Sequence, residues 1–149
     1  MTQYVTFLLA DHLYGVDVLR VQEALRAPVR ARVPLAPPDV AGLVNLRGQV
    51  VLTIDLRTRL GLPAADQPPV MTVVVQVDGE PVSLLVDEIG DVLECGPDSF
   101  EPPPPTLDPR LRAVIRGTHK LDQQLLLVLD VDAAVAPQHT LPTLTQEHR

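Results

Sequence analysis

At 149 residues the chain suits a single domain, and a domain of about 150 residues buries roughly 70% of its unfolded surface, enough for a core without disulfides or metals. A net charge of −7 and a pI near 4.9 exclude the basic face that nucleic-acid binding needs and disfavour docking on anionic lipid. With 46% hydrophobic residues but only 3% aromatic, no Trp, and sixteen prolines and eight glycines to interrupt it, the composition favours many short aliphatic strands over long helices.

The opening Met1 to Phe7 carries neither a charged n-region nor a long apolar stretch, so it does not read as a secretory leader. Tyr4 to Leu9 and Leu13 to Val18 flank Ala10-Asp11-His12 as a hairpin. Pro37 to Gly42 reads as one short helical turn, proline at its start and glycine at its end. Asn45-Leu46-Arg47-Gly48 is a tight polar turn feeding the β-branched run Val50 to Leu56, which Gly61 and Pro63 then close; Gly48 supplies the positive φ that a reversal needs. Thr72 to Val77 and Val82 to Val86 flank Asp78-Gly79-Glu80-Pro81, a stronger hairpin signal because Asp-Gly suits tight reversals. The lone Cys95 can form no internal disulfide, which fits a reducing, cytoplasmic setting. Pro97 to Pro109, including the run Pro102 to Pro105, reads as a stiff connector between strands. Leu125 to Val131 is a further buried strand, too short to span a bilayer. Asp132 to Val135 is a short terminal helix, and residues 138–149 form a flexible tail.

These elements repeat. Tyr14-Gly15-Val16 matches Val82-Ser83-Leu84, and Arg47-Gly48 recurs as Arg116-Gly117, each Arg-Gly preceding an aliphatic strand closed by an aspartate (Asp55, Asp130). The order hairpin, connector, Arg-Gly turn, strand thus occurs twice, the pattern of a duplicated β lobe. A β sheet closed on itself removes the edges that so many short strands expose.

A search for chemistry returns no catalytic constellation. Ser83 and Ser99 lie in no nucleophile elbow. His12, His119, His139 and His148 have no metal-ligand spacing, and Cys95 has no neighbouring partner. Neither a phosphate loop nor a dinucleotide fingerprint is present. Asp17, Asp55, Asp87 and Asp130 each close or follow an apolar strand, where aspartates commonly serve as turn or cap residues. The expectation is a non-enzyme with no cofactor and no metal.

Five blocks in register give the chain a resemblance. Tyr4-Val5-Thr6-Phe7 followed by Tyr14 to Glu23, then Pro38 to Gly42 with Val44-Asn45-Leu46-Arg47-Gly48, then Leu84 to Leu93, then Ile115-Arg116-Gly117 with Leu125 to Asp130, together resemble the CheW-like adaptor family over about residues 3–136. Leu52 stands where the family usually has proline, and Leu60 where an aromatic is frequent. The resemblance implies an all-β fold of two SH3-like five-stranded β-barrel lobes packed side by side with one or two short helices. They form one domain over 1–137, the first lobe roughly 1–66 and the second roughly 70–137, with exchange of strands between the lobes left open.

What the resemblance implies for function is scaffolding: coupling of chemoreceptors to a CheA-type histidine kinase in bacterial chemotaxis, the alternative being an interaction module in pilus-based motility or other regulatory signalling. The implied partners are the regulatory domain of the kinase and the cytoplasmic tip of chemoreceptors. Neither nucleic acid nor direct membrane insertion is expected, and the isolated chain is expected to be a monomer, recruited to membrane arrays through its partners. A helix seated in a groove wants an apolar floor and a polar rim. The candidates are Val18, Val21 and Ala24 with Ile89 for the floor, and Glu23, Gly42 and Arg47 at the edge, with Glu23 and Arg47 expected as an ion pair. The kinase-binding residues are not legible.

Overall fold

The computed structural model describes residues 1–136, so the expected tail 138–149 lies outside the described residues. The elements run β1 (Thr2–Leu9), β2 (His12–Asp17), β3 (Val21–Arg26), β4 (Val40–Leu46), β5 (Gln49–Asp55), α1 (Leu56–Arg59), β6 (Met71–Val77), β7 (Glu80–Val86), β8 (Glu88–Cys95), β9 (Phe100–Glu101), α2 (Pro109–Arg112), β10 (Ile115–Lys120), β11 (Leu125–Leu129) and α3 (Val131–Val135). Strands dominate, as the Val- and Leu-rich composition requires. They form a six-stranded sheet ordered β8-β1-β2-β11-β10-β9 and a five-stranded sheet ordered β3-β6-β7-β5-β4.

Three two-residue turns set the registers. Ala10-Asp11 (φ 48 and 68), Arg47-Gly48 (54 and 84) and Asp78-Gly79 (53 and 80) all place both central residues at positive φ, the backbone twist that matches right-handed strands in a tight hairpin. Arg47 holds a left-handed conformation without being glycine, which the Asn45 side chain supports by accepting from the Gly48 amide at 2.9 Å.

The duplication is structural, and its register is legible in the ladders. Phe7 faces Tyr14 in one hairpin and Val75 faces Val82 in the other, an offset of 68 residues. The bulge between Val40 and Gly42 in β4 reappears between Ile115 and Gly117 in β10, an offset of 75. Gly117 is therefore the counterpart of Gly42. This corrects the sequence alignment of Arg47-Gly48 with Arg116-Gly117: the first pair is a hairpin turn, whereas the second lies inside strand β10. A second correction concerns Pro37 to Gly42. The Val40 amide donates to the Pro37 carbonyl at 3.0 Å as a β-turn, and Val40 through Gly42 already pair with β5, so this stretch enters a strand and not a helix.

The halves exchange strands reciprocally. β3, which follows the first hairpin, pairs with β6 of the second, while β8, which follows the second hairpin, pairs with β1 of the first. Parallel pairs β11-β2 and β5-β7 complete the exchange. Residues 1–66 and 70–137 therefore each contribute strands to both sheets. Each sheet curls back on itself through a short contact. Ala31 bridges Leu43 of β4, and Glu101 of β9 pairs with Thr118 of β10.

That closure explains two glycines. A Cβ on Gly42, which sits at φ +144, would lie 2.5 Å from the Ala31 carbonyl oxygen, and one on Gly117 would run into the Phe100 ring and the Glu101 carbonyl. Each sheet also encloses a small cluster of its own: Tyr4, Leu13, Cys95, Leu126 and Val128 in one, Val44, Leu46, Val51 and Val74 in the other. Between the sheets lies the main core, drawn from both, with Phe7, Tyr14, Ile54, Val73, Leu84 and Leu127 among its members. Phe7 and Tyr14 stack there with ring centroids 5.7 Å apart.

Candidate interaction surface

Strand β3 carries most of the candidate floor, and its alternation is clear: Val21, Glu23 and Leu25 are half-buried while Gln22, Ala24 and Arg26 are exposed. A bulge between Val21 and Glu23 shifts the register against β6. Val21 packs against the main core, and so does Ile89 of β8. The two are counterparts, since Val21 pairs with Val75 and Ile89 with Phe7. Ala24 lies on the open face of β3, and Val18 is half-exposed in the single 3₁₀ turn Val18–Arg20. Gly42 is buried beside Ala31, where its role is backbone clearance.

Glu23 and Arg47 do form an ion pair. The Arg47 side chain is exposed at the β4-β5 turn, and the Glu23 carboxylate raises its pKa, chiefly through the hydrogen bond. The structure thus gathers Val18, Val21, Glu23, Ala24 and Arg47 around β3 and the β4-β5 turn. It places Gly42 within the curl of the same sheet, and Ile89 in the other sheet.

Two charged clamps went unnoticed in the sequence. Arg57 of α1 donates Nε to Asp87 Oδ1 at 2.9 Å and Nη2 to Oδ2 at 2.7 Å, and the Ala10 amide donates to Asp87 Oδ2 at 2.9 Å. Arg20 donates to Asp132 Oδ1 of α3 at 2.6 Å and to the Gln76 carbonyl at 2.8 Å. By the 75-residue offset Arg57 corresponds to Asp132, whereas by the 68-residue offset Arg20 falls at Glu88, one residue past Asp87. The clamps are therefore similar in placement, with charges reversed, without matching position for position. Each ties the helix after an inner strand to the point where the chain leaves a hairpin for the opposite sheet. The Arg57 hydrogen bonds hold the Asp87 carboxyl below its usual range despite partial burial, and Arg20 does the same for Asp132.

Two polar groups lie deeper. Arg59 Nε sits 2.7 Å from Asp39 Oδ2 with both side chains largely buried, although its N–H points too far off that line to make a hydrogen bond. Buried His119 has Nδ1 2.7 Å from Ser99 Oγ and Nε2 3.2 Å from Tyr4 Oη. Burial lowers its pKa. Both ring nitrogens are thus engaged inside the fold. The strand-end aspartates also have structural employment: Asp17, Asp55 and Asp130 accept from the amides of Leu19, Thr58 and Ala133 at helix starts, and Asp87 belongs to a clamp. Among the described residues no helix is long and apolar enough to cross a membrane.

Two sheets share one core, charged side chains join their elements, and the open face of β3 lies beside an ion pair, which makes this a two-sheet β protein. A family model of the CheW-like domain matches residues 3–138, and the chain belongs to that family of chemotaxis scaffolds. It is 29% identical to the probable chemotaxis protein CheW of Rhizobium etli over 132 residues, covering 88% of this chain and 85% of that one. It is 27% identical to the chemotaxis protein CheW of Bacillus subtilis over 132 residues, covering 88% and 85%. Among solved structures, the scaffolding protein TtCheW of Thermoanaerobacter tengcongensis superposes with a TM-score of 0.82 at 28% identity, covering 92% of this chain and 94% of that one.

Proposed function

We propose that this chain couples the cytoplasmic tips of chemoreceptors to the regulatory domain of a CheA-type histidine kinase, as a non-catalytic adaptor recruited to receptor arrays by its partners. The observation that carries the reading is the CheW-like match over 3–138, joined to an Asn-Leu-Arg-Gly turn whose Arg47 engages Glu23. The receptor surface is then the open side of β3, with Ala24 and Val18 in contact and the Glu23–Arg47 pair as its polar rim. Val21 and Ile89 support that surface from the core side, and Gly42 keeps the sheet curled beneath it. An apolar floor with a charged rim suits a helical partner, whose apolar stripe gains burial while the rim sets its orientation.

The experiment is a paired pull-down of this chain with a receptor cytoplasmic hairpin and with the kinase regulatory domain. Ala24→Asp introduces a carboxylate that stays hydrated in the free protein but is desolvated against a helix. Receptor capture should fall at least tenfold while kinase capture persists. Undiminished receptor capture would remove β3 from the receptor surface, and failure of the unmodified chain to bind either partner would refute the coupling itself.

A further inference from the structure

Strand β3 is weakly secured by its own sheet. Among the described residues it pairs only with β6, at the edge of the five-stranded sheet, and a bulge between Val21 and Glu23 interrupts that ladder where the strand begins. A bulge leaves a residue unpaired and bends the strand that carries it. An edge strand with such a gap at its entrance needs a tether from outside the ladder to present a fixed face. Arg20, the residue immediately before β3, supplies one. Its Nε and Nη2 donate to the Gln76 carbonyl of β6 at 3.2 and 2.8 Å, and its Nη1 and Nη2 donate to the Asp132 carboxylate at 3.3 and 2.6 Å. The Gln76 side-chain amide in turn donates to Gln22 on β3.

The post to which Arg20 is tied stands in the other sheet's half of the molecule and is itself firmly held. α3 follows β11 of the six-stranded sheet. Asp130 accepts from the Ala133 amide at the helix start at 3.1 Å, Val131 and Ala134 are buried in the main core, and Arg59 of α1 donates to the Ala136 carbonyl at the helix end. The Arg20 and Asp132 side chains are 37% and 61% exposed, and an ion pair so open to water adds little to stability. What it can do is fix geometry. The Arg57–Asp87 clamp differs: its side chains are only 16% and 23% exposed, and Asp87 takes the Ala10 amide as well, the arrangement of a group that secures the fold.

We propose that Arg20 is a positioning residue for receptor binding: clasped to Asp132, it lets α3, rooted in the six-stranded sheet, fix the entry angle of β3 in the five-stranded sheet. The proposal rests on the assignment of the open side of β3 as the receptor surface. Arg20 acts through the residues that follow it and not by touching the receptor. The surface is then set by both sheets together, although Ala24, Glu23 and Arg47 all belong to one of them.

Three variants of the full chain test this: Arg20→Ala, Asp132→Ala and the two combined. Each should capture a receptor cytoplasmic hairpin about three- to tenfold less well than the wild type, the range of coupling carried through a contiguous network, while capture of the kinase regulatory domain is unchanged. Asp132→Ala should melt within about 4 °C of the wild type, as befits an exposed pair. The double variant should lose no more than Arg20→Ala alone, because Asp132 reaches β3 only through Arg20; such non-additivity marks groups that act as one unit. In the free protein, the amides of residues 21–26 should exchange hydrogen faster in Asp132→Ala than in the wild type. Losses that add would make Asp132 a receptor contact in its own right and overturn the proposal. A melting temperature that falls in step with capture of both partners, or unchanged exchange across 21–26, would overturn it too. A wild type that captures no receptor hairpin refutes the receptor reading of β3 and this role together, whereas a wild type that binds while Asp132→Ala binds equally well removes the positioning role alone.

Discussion

Replacing Gly42 by alanine tests how the second sheet is held in its curl. The residue sits at φ +144, and the new Cβ would lie 2.5 Å from the Ala31 carbonyl oxygen. A backbone region essentially reserved for glycine costs about 1–3 kcal/mol for any other residue. Relieving the steric contact must also move the 27–32 segment away from β4, which breaks the reciprocal bridge of Ala31 N to Leu43 O at 2.8 Å and Leu43 N to Ala31 O at 2.9 Å. Each such bond contributes about 0.5–1.5 kcal/mol net. The total is about 2–6 kcal/mol, and for a chain of this length each kcal/mol lowers Tm by about 2–4 °C, so the expected drop is roughly 5–20 °C. Gly48→Ala is the control: its φ is +84 but nothing lies within 4 Å of the added Cβ, leaving only the backbone contribution of about 1–2 kcal/mol. Thermal unfolding followed by circular dichroism measures both. If Gly42→Ala melts within about 2 °C of the wild type, or no lower than Gly48→Ala, the close approach of Ala31 is not what this position serves.

Tyr14→Phe should leave stability unchanged or raise it in urea unfolding, because the Tyr14 hydroxyl is buried without a protein partner and burial pushes its pKa up to about 12; an unpaired buried hydroxyl costs about 1–3 kcal/mol. Val21→Asp puts a carboxylate against the main core, so it should destabilise by about 2–4 kcal/mol and weaken receptor and kinase capture together; selective loss of receptor capture at an unchanged melting temperature would place Val21 on the surface instead. Arg47→Glu sets two acids face to face at an exposed turn, so receptor capture should fall with little change in Tm, and the exchange Glu23→Arg/Arg47→Glu should recover it. Two groups, His119 and Asp87, contribute to the acid side of the stability curve. His119 has a folded pKa below its unfolded value, so the unfolded chain binds the extra proton and stability falls as pH drops below about 6.5. Asp87, whose folded pKa is depressed by Arg57, adds a further loss once pH passes below about 4; His119→Gln should flatten the first limb of the urea midpoint against pH and Asp87→Asn the second.

Much of the fold was legible because hairpins are local. Asp78-Gly79 and Arg47-Gly48 announce reversals by their own chemistry, and alternating Val and Leu runs mark the strands on either side. The duplication was legible too, but its register was not. The Arg-Gly dipeptide misled because Gly117 answers a long-range demand, clearance for Phe100 and Glu101, that no turn chemistry encodes. Pro37 to Gly42 misled in the same way: proline-start and glycine-end describe a helical turn locally, while pairing with β5 decides otherwise. At the surface, Glu23 and Arg47 were recognisable by motif and by opposite charge. Val21 and Ile89 were recognisable as apolar strand residues, but whether such a residue faces a groove or a core depends on the sheet packed behind it. The Arg57–Asp87 and Arg20–Asp132 clamps span 30 and 112 residues, separations at which single-sequence patterns carry no pairing information.

The reciprocal exchange of strands has a consequence for how the molecule is made. β1 lies between β2 and β8, and the β1-β8 ladder joins Thr2 to Cys95, while β2 waits for its parallel neighbour until Val128 meets Gly15. During synthesis the first hairpin therefore emerges long before the strands that flank it exist. The five-stranded sheet has all its strands once Val86 has emerged, but the six-stranded sheet cannot be completed until Leu129 has left the ribosome. The linkage between halves is a single surface loop at 62–69, so the architecture is that of a half-length polypeptide whose two copies swap arms and are then joined end to end. Cut within that loop, the pieces 1–65 and 66–149 should each be unstructured alone and rebuild the native fold when mixed. Integrity of the adaptor would then be a property of the pair of halves, acquired in one cooperative step and lost in one.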